Sequence, residues 1–122
     1  MEFIKQKPIY MQIADLLLEN VLSGQLKAGD KIQSVREMAA AVQVNPNTVM
    51  RAFTYLQEQD IIFNRRGIGY FIAEDAYDQT LHIKKKVFKE QYLPQFFKML
   101  DLLKMDLSEL SDLRPNGVHK DP

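Results

Sequence analysis

Residues 33–59 read QSVREMAAAVQVNPNTVMRAFTYLQEQ, and this stretch decides the fold because it carries two helix-start signals a short distance apart. Ser34 and Glu37 are spaced as a capping box, in which each side chain accepts a hydrogen bond from an otherwise unpaired amide. Asn45 followed by Pro46 is the second signal, since Asn is a strong N-cap and Pro suits the first helical position. The stretch therefore predicts a helix-turn-helix, with its second helix beginning at Pro46.

The apolar residues of both helices recur at the spacing of a single buried face. The predicted buried stripes are Val35, Met38, Ala39 and Val42 in the first helix, and Val49, Ala52, Phe53 and Leu56 in the second. Arg36 is left outside the first stripe, and Asn47, Thr48 and Arg51 lie opposite or beside the second. Amide, hydroxyl and guanidinium groups near a helix N-terminus suit base edges and phosphates in a DNA major groove. The second helix is thus predicted to read DNA, although any solvated helix also has a polar face.

The residues that follow the motif read as strand, turn and strand over 61–72. The turn contains Arg65, Arg66, Gly67 and Gly69. Such a tip can approach a phosphate chain or enter the minor groove, because Gly lets the backbone come close and Arg favours the negative potential there. A helix-turn-helix followed by this hairpin is a winged helix, so we expect a mainly α fold with one small β-hairpin.

The composition of the 122 residues, 46% of them hydrophobic, fits one compact domain with an appendage. The chain has no Cys, no apolar run near the roughly 20 residues of a membrane span, and no signal-peptide segment. We therefore expect a cytoplasmic protein without membrane contact. The net charge of zero gives no support to nucleic-acid binding. Residues 31–72 nevertheless carry five Lys or Arg against three acidic residues.

A first helix is predicted from Pro8 to the stop at Ser23 and Gly24. Its predicted apolar side is Ile9, Ile13, Leu16, Leu17 and Val21. Tyr10 in its first turn could reach a phosphate, but packing is the favoured interpretation. The composition shifts at residues 73–79, so we divide the chain into a DNA-binding domain at 1–75, a helical module at 76–113 and a flexible tail at 114–122.

The helical module is predicted to form two helices, interrupted near Leu93 and Pro94, with a final helical turn at 108–113. The second of these helices is apolar over more of its circumference than one contact face requires. Two helices cannot bury such a surface alone, so we expect a homodimer interface. The predicted interface residues are Phe96, Phe97, Leu100 and Leu103. Plain core packing and a pocket for a small-molecule effector at the interface are the alternatives.

Other chemistry finds little support in the sequence. His82 and His119 are the only histidines and have no carboxylate or thiol partner at ligand spacing, so no metal site is expected. No phosphate-binding loop or nucleophile motif occurs, which argues against an enzyme and against a cofactor.

The motifs resemble the GntR family of bacterial regulators and, within it, the small YtrA-like group. The resemblance covers residues 8–10, 28–32, 34–39, 44–49, 51–53 and 66–69, with 93–94 and 105–110 similar to the YtrA-like tail. It implies a winged helix that binds operator DNA as a homodimer, and it implies control of ABC-transporter genes. Pro46 and Met50 stand where many family members have arginine, and Arg51 supplies the charge one residue on.

The pattern and the resemblance together predict a sequence-specific transcription regulator, a repressor, that binds a pseudo-palindromic operator as a homodimer. The predicted DNA-binding residues are Ser34, Arg36, Asn45, Asn47, Thr48, Arg51, Arg66 and Gly67. The alternative is a winged helix that docks a protein and never touches DNA, which the zero net charge favours. A domain that only dimerises is a further alternative.

Overall fold

The computed structural model describes residues 6–115, and the chain forms two compact units, the first ending at Lys85 and the second beginning at Lys86. The elements of the first unit are α1 (Ile9–Ser23), α2 (Val35–Val42), α3 (Pro46–Glu58), β1 (Ile62–Arg65), β2 (Gly69–Ile72) and most of α4 (Ala76–Val87). Those of the second are a π-helix (Phe88–Tyr92), α5 (Leu93–Leu103) and a 3-10 helix (Leu107–Leu113). The predicted fold, a mainly α winged helix-turn-helix with one hairpin, is confirmed.

Two parts of the predicted domain division stay predictions. The functional boundary after residue 75 is one, since the compact units divide inside α4. The tail at 114–122 is the other, because all but its first two residues lie outside the described part of the chain, as does His119.

Helix α1 begins after Pro8 and ends at Gly24, whose φ of 87° is left-handed and whose amide donates to the Val21 carbonyl at 3.2 Å. Its buried residues are Ile13, Ala14, Leu17, Leu18 and Val21. The predicted face was therefore wrong at Ile9 and Leu16, which are 51% and 45% exposed. The helix is apolar on two adjacent sides, and packing selects the side that carries Ala14 and Leu18. Tyr10 packs against this core, as predicted.

Helices α2 and α3 begin where the local signals place them. The Glu37 amide donates to Ser34 Oγ at 3.1 Å, and the Ser34 amide donates to Glu37 Oε1 at 2.9 Å, which completes the capping box. At α3 the Asn47 amide donates to Asn45 Oδ1 at 2.7 Å, with Pro46 as the first helical residue. The caps satisfy amides that the helices themselves cannot pair.

Loss of the α2 cap has a measurable consequence for stability. We expect Ser34→Ala to lower the free energy of unfolding by about 1 kcal/mol, because the Glu37 amide loses its acceptor. Urea unfolding followed by circular dichroism measures the difference. Ser23→Ala is the matched control, since the Ser23 hydroxyl donates only to the Asn20 carbonyl near the end of α1. Equal losses in the two variants would contradict the capping role.

The hairpin pairs Ile62 with Ile72 and Arg65 with Gly69 in antiparallel register. It is fastened to the loop between α1 and α2, where Lys31 forms an antiparallel bridge with Phe71. The Ile32 amide donates to the Tyr70 carbonyl at 3.0 Å, and the Ile72 amide donates to the Asp30 carbonyl at 2.9 Å. The hairpin, which forms the wing, is therefore paired with a third backbone segment, the loop at residues 30–32. The sequence analysis did not predict this pairing.

The core of the first unit joins α1, α2, α3 and the hairpin. All four residues of the predicted α3 stripe, Val49, Ala52, Phe53 and Leu56, are 0% exposed. The Phe53 ring meets the Tyr70 ring edge to face, with centroids 4.9 Å apart. Asp15 of α1 adds a polar tie, since its carboxylate pairs with Lys7 Nζ at 2.6 Å and with Lys84 Nζ of α4 at 3.1 Å. Helix α3 and the wing therefore pack on one close-packed core.

In the second unit the interruption predicted near Leu93 and Pro94 takes the form of a π-helix that leads into α5. Proline has no amide proton for a helical hydrogen bond, and a widened turn accommodates this loss. The final turn predicted at 108–113 is present as the 3-10 helix. Within the described residues, no helix has the length and apolarity required to cross a membrane.

Candidate nucleic-acid interface

Helix α3 turns a polar face to solvent, opposite its buried stripe. Asn47, Arg51 and Thr54 are exposed on this face, and Thr48 is half-buried beside them. Asn45 is also exposed, but its Oδ1 already accepts the Asn47 amide and so serves the helix cap. The face offers amide, guanidinium and hydroxyl groups, which can pair with base edges and phosphate oxygens.

Helix α2 contributes its N-terminus to the candidate interface. Ser34 and Arg36 are both exposed there. Ser34 Oγ accepts the Glu37 amide, which leaves the hydroxyl proton to be donated elsewhere. A cation and a hydroxyl at a helix start suit a phosphate contact.

The tip of the wing is the turn of residues 66–68, in which Arg66 and Gly67 are exposed and Ile68 is 55% exposed. The turn is closed by the Ile68 amide, which donates to the Arg65 carbonyl at 2.9 Å. Gly67 has a φ of 78°, a left-handed conformation that Gly adopts without a steric cost, and nothing lies within 4 Å of the position of a Cβ. The tip is therefore open to the approach of another molecule.

The two adjacent arginines of the wing differ in their surroundings. Arg65 Cζ lies 5.1 Å from the centroid of the Phe71 ring and 5.7 Å from that of the Phe63 ring. These two rings stack on the outer face of the hairpin, with centroids 5.8 Å apart. Arg65 therefore packs along the wing, whereas Arg66 stands at its tip.

Lys31 is a further cation at the wing that our predicted site did not include. Its Cε lies 3.0 Å from where a Cβ on Gly69 would be. The absence of a side chain at Gly69 makes room for the aliphatic part of the Lys31 side chain along the outer face of the wing. A lysine before the capping box and a glycine at the start of the second strand were the signals available in the sequence.

Arg51 is in contact with α1 as well as with solvent. Its Cζ lies 4.3 Å from the centroid of the Tyr10 ring. The two side chains border a cleft of about 320 Å³ between the start of α1 and the first turns of α3, lined by Pro8, Ile9, Tyr10, Asn47, Thr48 and Arg51. Three of the predicted DNA-binding residues, Asn47, Thr48 and Arg51, thus line one cleft.

Tyr55 lies on the α1 side of α3, and its surroundings favour the neutral phenol. Burial raises the pKa of Tyr55 above its ordinary value of 10.0, the negative charge of Asp15 raises it further, and Lys7 opposes the shift. The phenol therefore stays protonated, and so able to donate, throughout the physiological pH range.

The raised pKa of Tyr55 predicts how stability depends on pH. The unfolded chain loses this phenol proton near pH 10, whereas the folded chain holds it to a higher pH. The contribution of the protonated Tyr55 to the free energy of unfolding is therefore fully present below pH 10. It is lost as the pH rises through the folded-state pKa. Urea unfolding at a series of alkaline pH values should show a shallower decline for Tyr55→Phe than for the wild type. Tyr77→Phe, on the exposed side of α4, is the control, and an unchanged decline in Tyr55→Phe would contradict the prediction.

The residues predicted to form the dimer interface lie along α5 and are not equally accessible. Phe97 and Leu103 are 45% and 58% exposed, whereas Leu100 is only 7% exposed in the single chain. Phe96 is half-buried. Leu102, at 63% exposure, was not among the predicted residues. In the described part of the chain, His82 is exposed and no three His, Asp or Glu residues gather as metal ligands would.

A winged helix with an exposed polar face on α3 and an Arg-Gly wing tip is the architecture expected of one class of protein, the DNA-binding transcription regulators. Residues 9–72 match the family model described as bacterial regulatory proteins, gntR family. The chain therefore belongs to the GntR family and, by its similarity to YtrA, to the YtrA-like group within it. This family consists of regulators and not of enzymes, as predicted from the absence of catalytic motifs.

Individual relatives extend the likeness beyond the winged helix. The HTH-type transcriptional regulator YhcF of Bacillus subtilis is 39% identical over 109 residues, covering 89% of this chain and 88% of that protein. The HTH-type transcriptional repressor YtrA of the same organism is 43% identical over 84 residues, covering 69% of this chain and 65% of that protein. A crystal structure of a GntR-family regulator from Bacteroides thetaiotaomicron has a TM-score of 0.73 at 39% identity, covering 87% of this chain and 92% of that one.

Proposed function

We propose that the protein is a repressor that binds a pseudo-palindromic operator in the cytoplasm as a homodimer. Helix α3 enters the major groove, and the wing lies at the adjacent minor groove or backbone. The observation that carries this proposal is the exposed face of Asn47, Arg51 and Thr54 on α3, held with the wing on one buried core. A winged helix that only docked proteins would not need these groups together on the exposed face of α3.

The roles of the side chains follow from their chemistry and exposure. Arg51 and Asn47 are assigned to base reading, since guanidinium groups pair with guanine and amides pair with adenine. Arg36, Thr48 and Arg66 are assigned to phosphates, together with the Gly67 amide at the open wing tip. Ser34 and Asn45 act mainly as caps that set the starts of α2 and α3.

The dimer is assigned to α5, where the apolar side chains of Phe97, Leu102 and Leu103 are exposed in the single chain. A two-fold dimer matches a pseudo-palindromic operator and doubles the number of phosphate contacts. This doubling is how a protein of zero net charge binds DNA in a salt-dependent manner. Repression is supported by the name of the repressor YtrA, and control of ABC-transporter genes rests on the YtrA-like resemblance.

The test is selection of bound duplexes from a random pool, followed by sequencing, at about 50 mM and 200 mM salt. We expect enrichment of a pseudo-palindrome, with weaker retention at the higher salt. Lys85→Ala, which removes an exposed cation outside the assigned interface, should select the same sequence. Failure of the wild type to retain any duplex at low salt would support the second candidate, a protein-docking winged helix, which the zero net charge favours.

A further inference from the structure

We infer that Tyr10 of α1 is a positioning residue for sequence reading, because its ring holds the Arg51 guanidinium at the place from which Arg51 reads a base. The inference rests on the proposed function and deepens it. It assigns to α1, the helix outside the helix-turn-helix motif, a part in the choice of DNA sequence.

The ring is a fixed support for a side chain that would otherwise be mobile. Tyr10 is half-buried and packs against the hydrophobic core, so its orientation is set by the fold. Arg51 is exposed and forms no salt bridge within residues 6–115, where the Tyr10 ring lies 4.3 Å from its Cζ. A long arginine held in place before binding loses less conformational freedom when it engages DNA.

The form of the contact leaves Arg51 able to read a base. A guanidinium attracted to an aromatic ring has five N–H donors, and the donors that do not face the ring stay available. Those donors can therefore pair with the O6 and N7 acceptors of guanine while the ring remains in contact. The cleft beside this contact is lined by Asn47 and Thr48 as well, so the ring stands at the edge of the assigned reading face.

The inference separates a positioning role from a purely structural one. If Tyr10 acts through Arg51, its loss should weaken discrimination at the base pair that Arg51 reads and nowhere else. If Tyr10 is only part of the core, its loss should lower stability and weaken binding to every duplex alike. Removal of Arg51 first distinguishes the two cases, because a residue that acts through Arg51 has no further effect once Arg51 is absent.

The experiment uses the operator that the wild type selects, and a duplex changed at the one base pair where Arg51→Ala relaxes the preference. Tyr10→Leu keeps apolar volume but has no ring, and Tyr10→Phe keeps the ring without the hydroxyl. We expect Tyr10→Leu to weaken operator binding on the order of 3- to 10-fold and to reduce discrimination at that base pair. Tyr10→Phe should bind and discriminate as the wild type does. In the Arg51→Ala background, Tyr10→Leu should have no further effect.

An equal loss on all duplexes in Tyr10→Leu, persisting in the Arg51→Ala background, would overturn the inference and leave the proposed function in place. Failure of the wild type to select any sequence would overturn both. Circular dichroism checks that each variant is folded. If Tyr10→Leu is not, Tyr10→Met replaces it, since Met fills irregular space without supplying a ring.

Discussion

Replacement of Phe53 by Ala is expected to lower the free energy of unfolding by about 3–5 kcal/mol. Phe53 is 0% exposed at the centre of the first unit, and its ring meets Tyr70 of the wing edge to face at 4.9 Å. The substitution would leave a cavity between the recognition helix and the hairpin that close-packed neighbours cannot fill. Small domains have only about 5–15 kcal/mol of total stability, so the variant should be close to unfolding at physiological temperature.

Urea unfolding followed by circular dichroism measures this loss. Met50→Ala is the matched control, because Met50 lies on the same helix, loses a side chain of comparable length, and is 43% exposed. We expect the control to change the free energy of unfolding by less than about 1 kcal/mol. A loss of that small size in Phe53→Ala would show that the core does not depend on the contact between α3 and the wing.

The helix starts could be predicted because their signals are local. The capping box joins Ser34 to Glu37, and the second cap joins Asn45 to Asn47, so each lies within a single turn of helix. The buried stripe of α3 was predicted completely for a similar reason, since its exposed side is polar except for Met50. Where local residues strongly favour one helix start or one buried face, a single sequence is enough to predict it.

The buried face of α1 shows where local pattern is insufficient. Ile9 and Leu16 fit the helical spacing as well as Ala14 and Leu18 do, and only packing against α3 and the rest of the core decides between the two sides. The same holds for Leu100, which the spacing places among the dimer residues and the structure buries in the single chain. A stripe of apolar residues predicts burial without specifying the neighbour that provides it.

The features of the site that the sequence analysis missed are contacts between residues distant in the chain. The cation–π contact of Tyr10 with Arg51 joins two helices, and the bridge of Lys31 with Phe71 joins a loop to the wing. Neither contact has a periodic signal. The different surroundings of Arg65 and Arg66 could not be predicted from the sequence either. They depend on two phenylalanines that the strand register brings together.

The second large effect is expected in DNA binding, where Arg51→Ala should cost about 1–3 kcal/mol and relax the preference at one base pair. Arg66→Ala should instead weaken binding to all duplexes alike, because a phosphate contact carries no sequence information. Dissociation constants for the operator and for singly substituted duplexes, measured over a series of salt concentrations, separate the two roles. Arg66→Ala should also reduce the slope of log affinity against log salt by about 1.

Arg65→Ala is the matched control, since it removes the same charge one residue away. The Arg65 guanidinium lies against the Phe63 and Phe71 rings, and Arg66 stands at the open tip, so we expect the smaller loss of affinity at Arg65. Equal losses for Arg65 and Arg66 would mean that the wing acts through its total charge and not through its tip. Uniform weakening on every duplex by Arg51→Ala would remove Arg51 from base reading, and the choice of sequence would then have to lie with Asn47 and Thr54 on the same face.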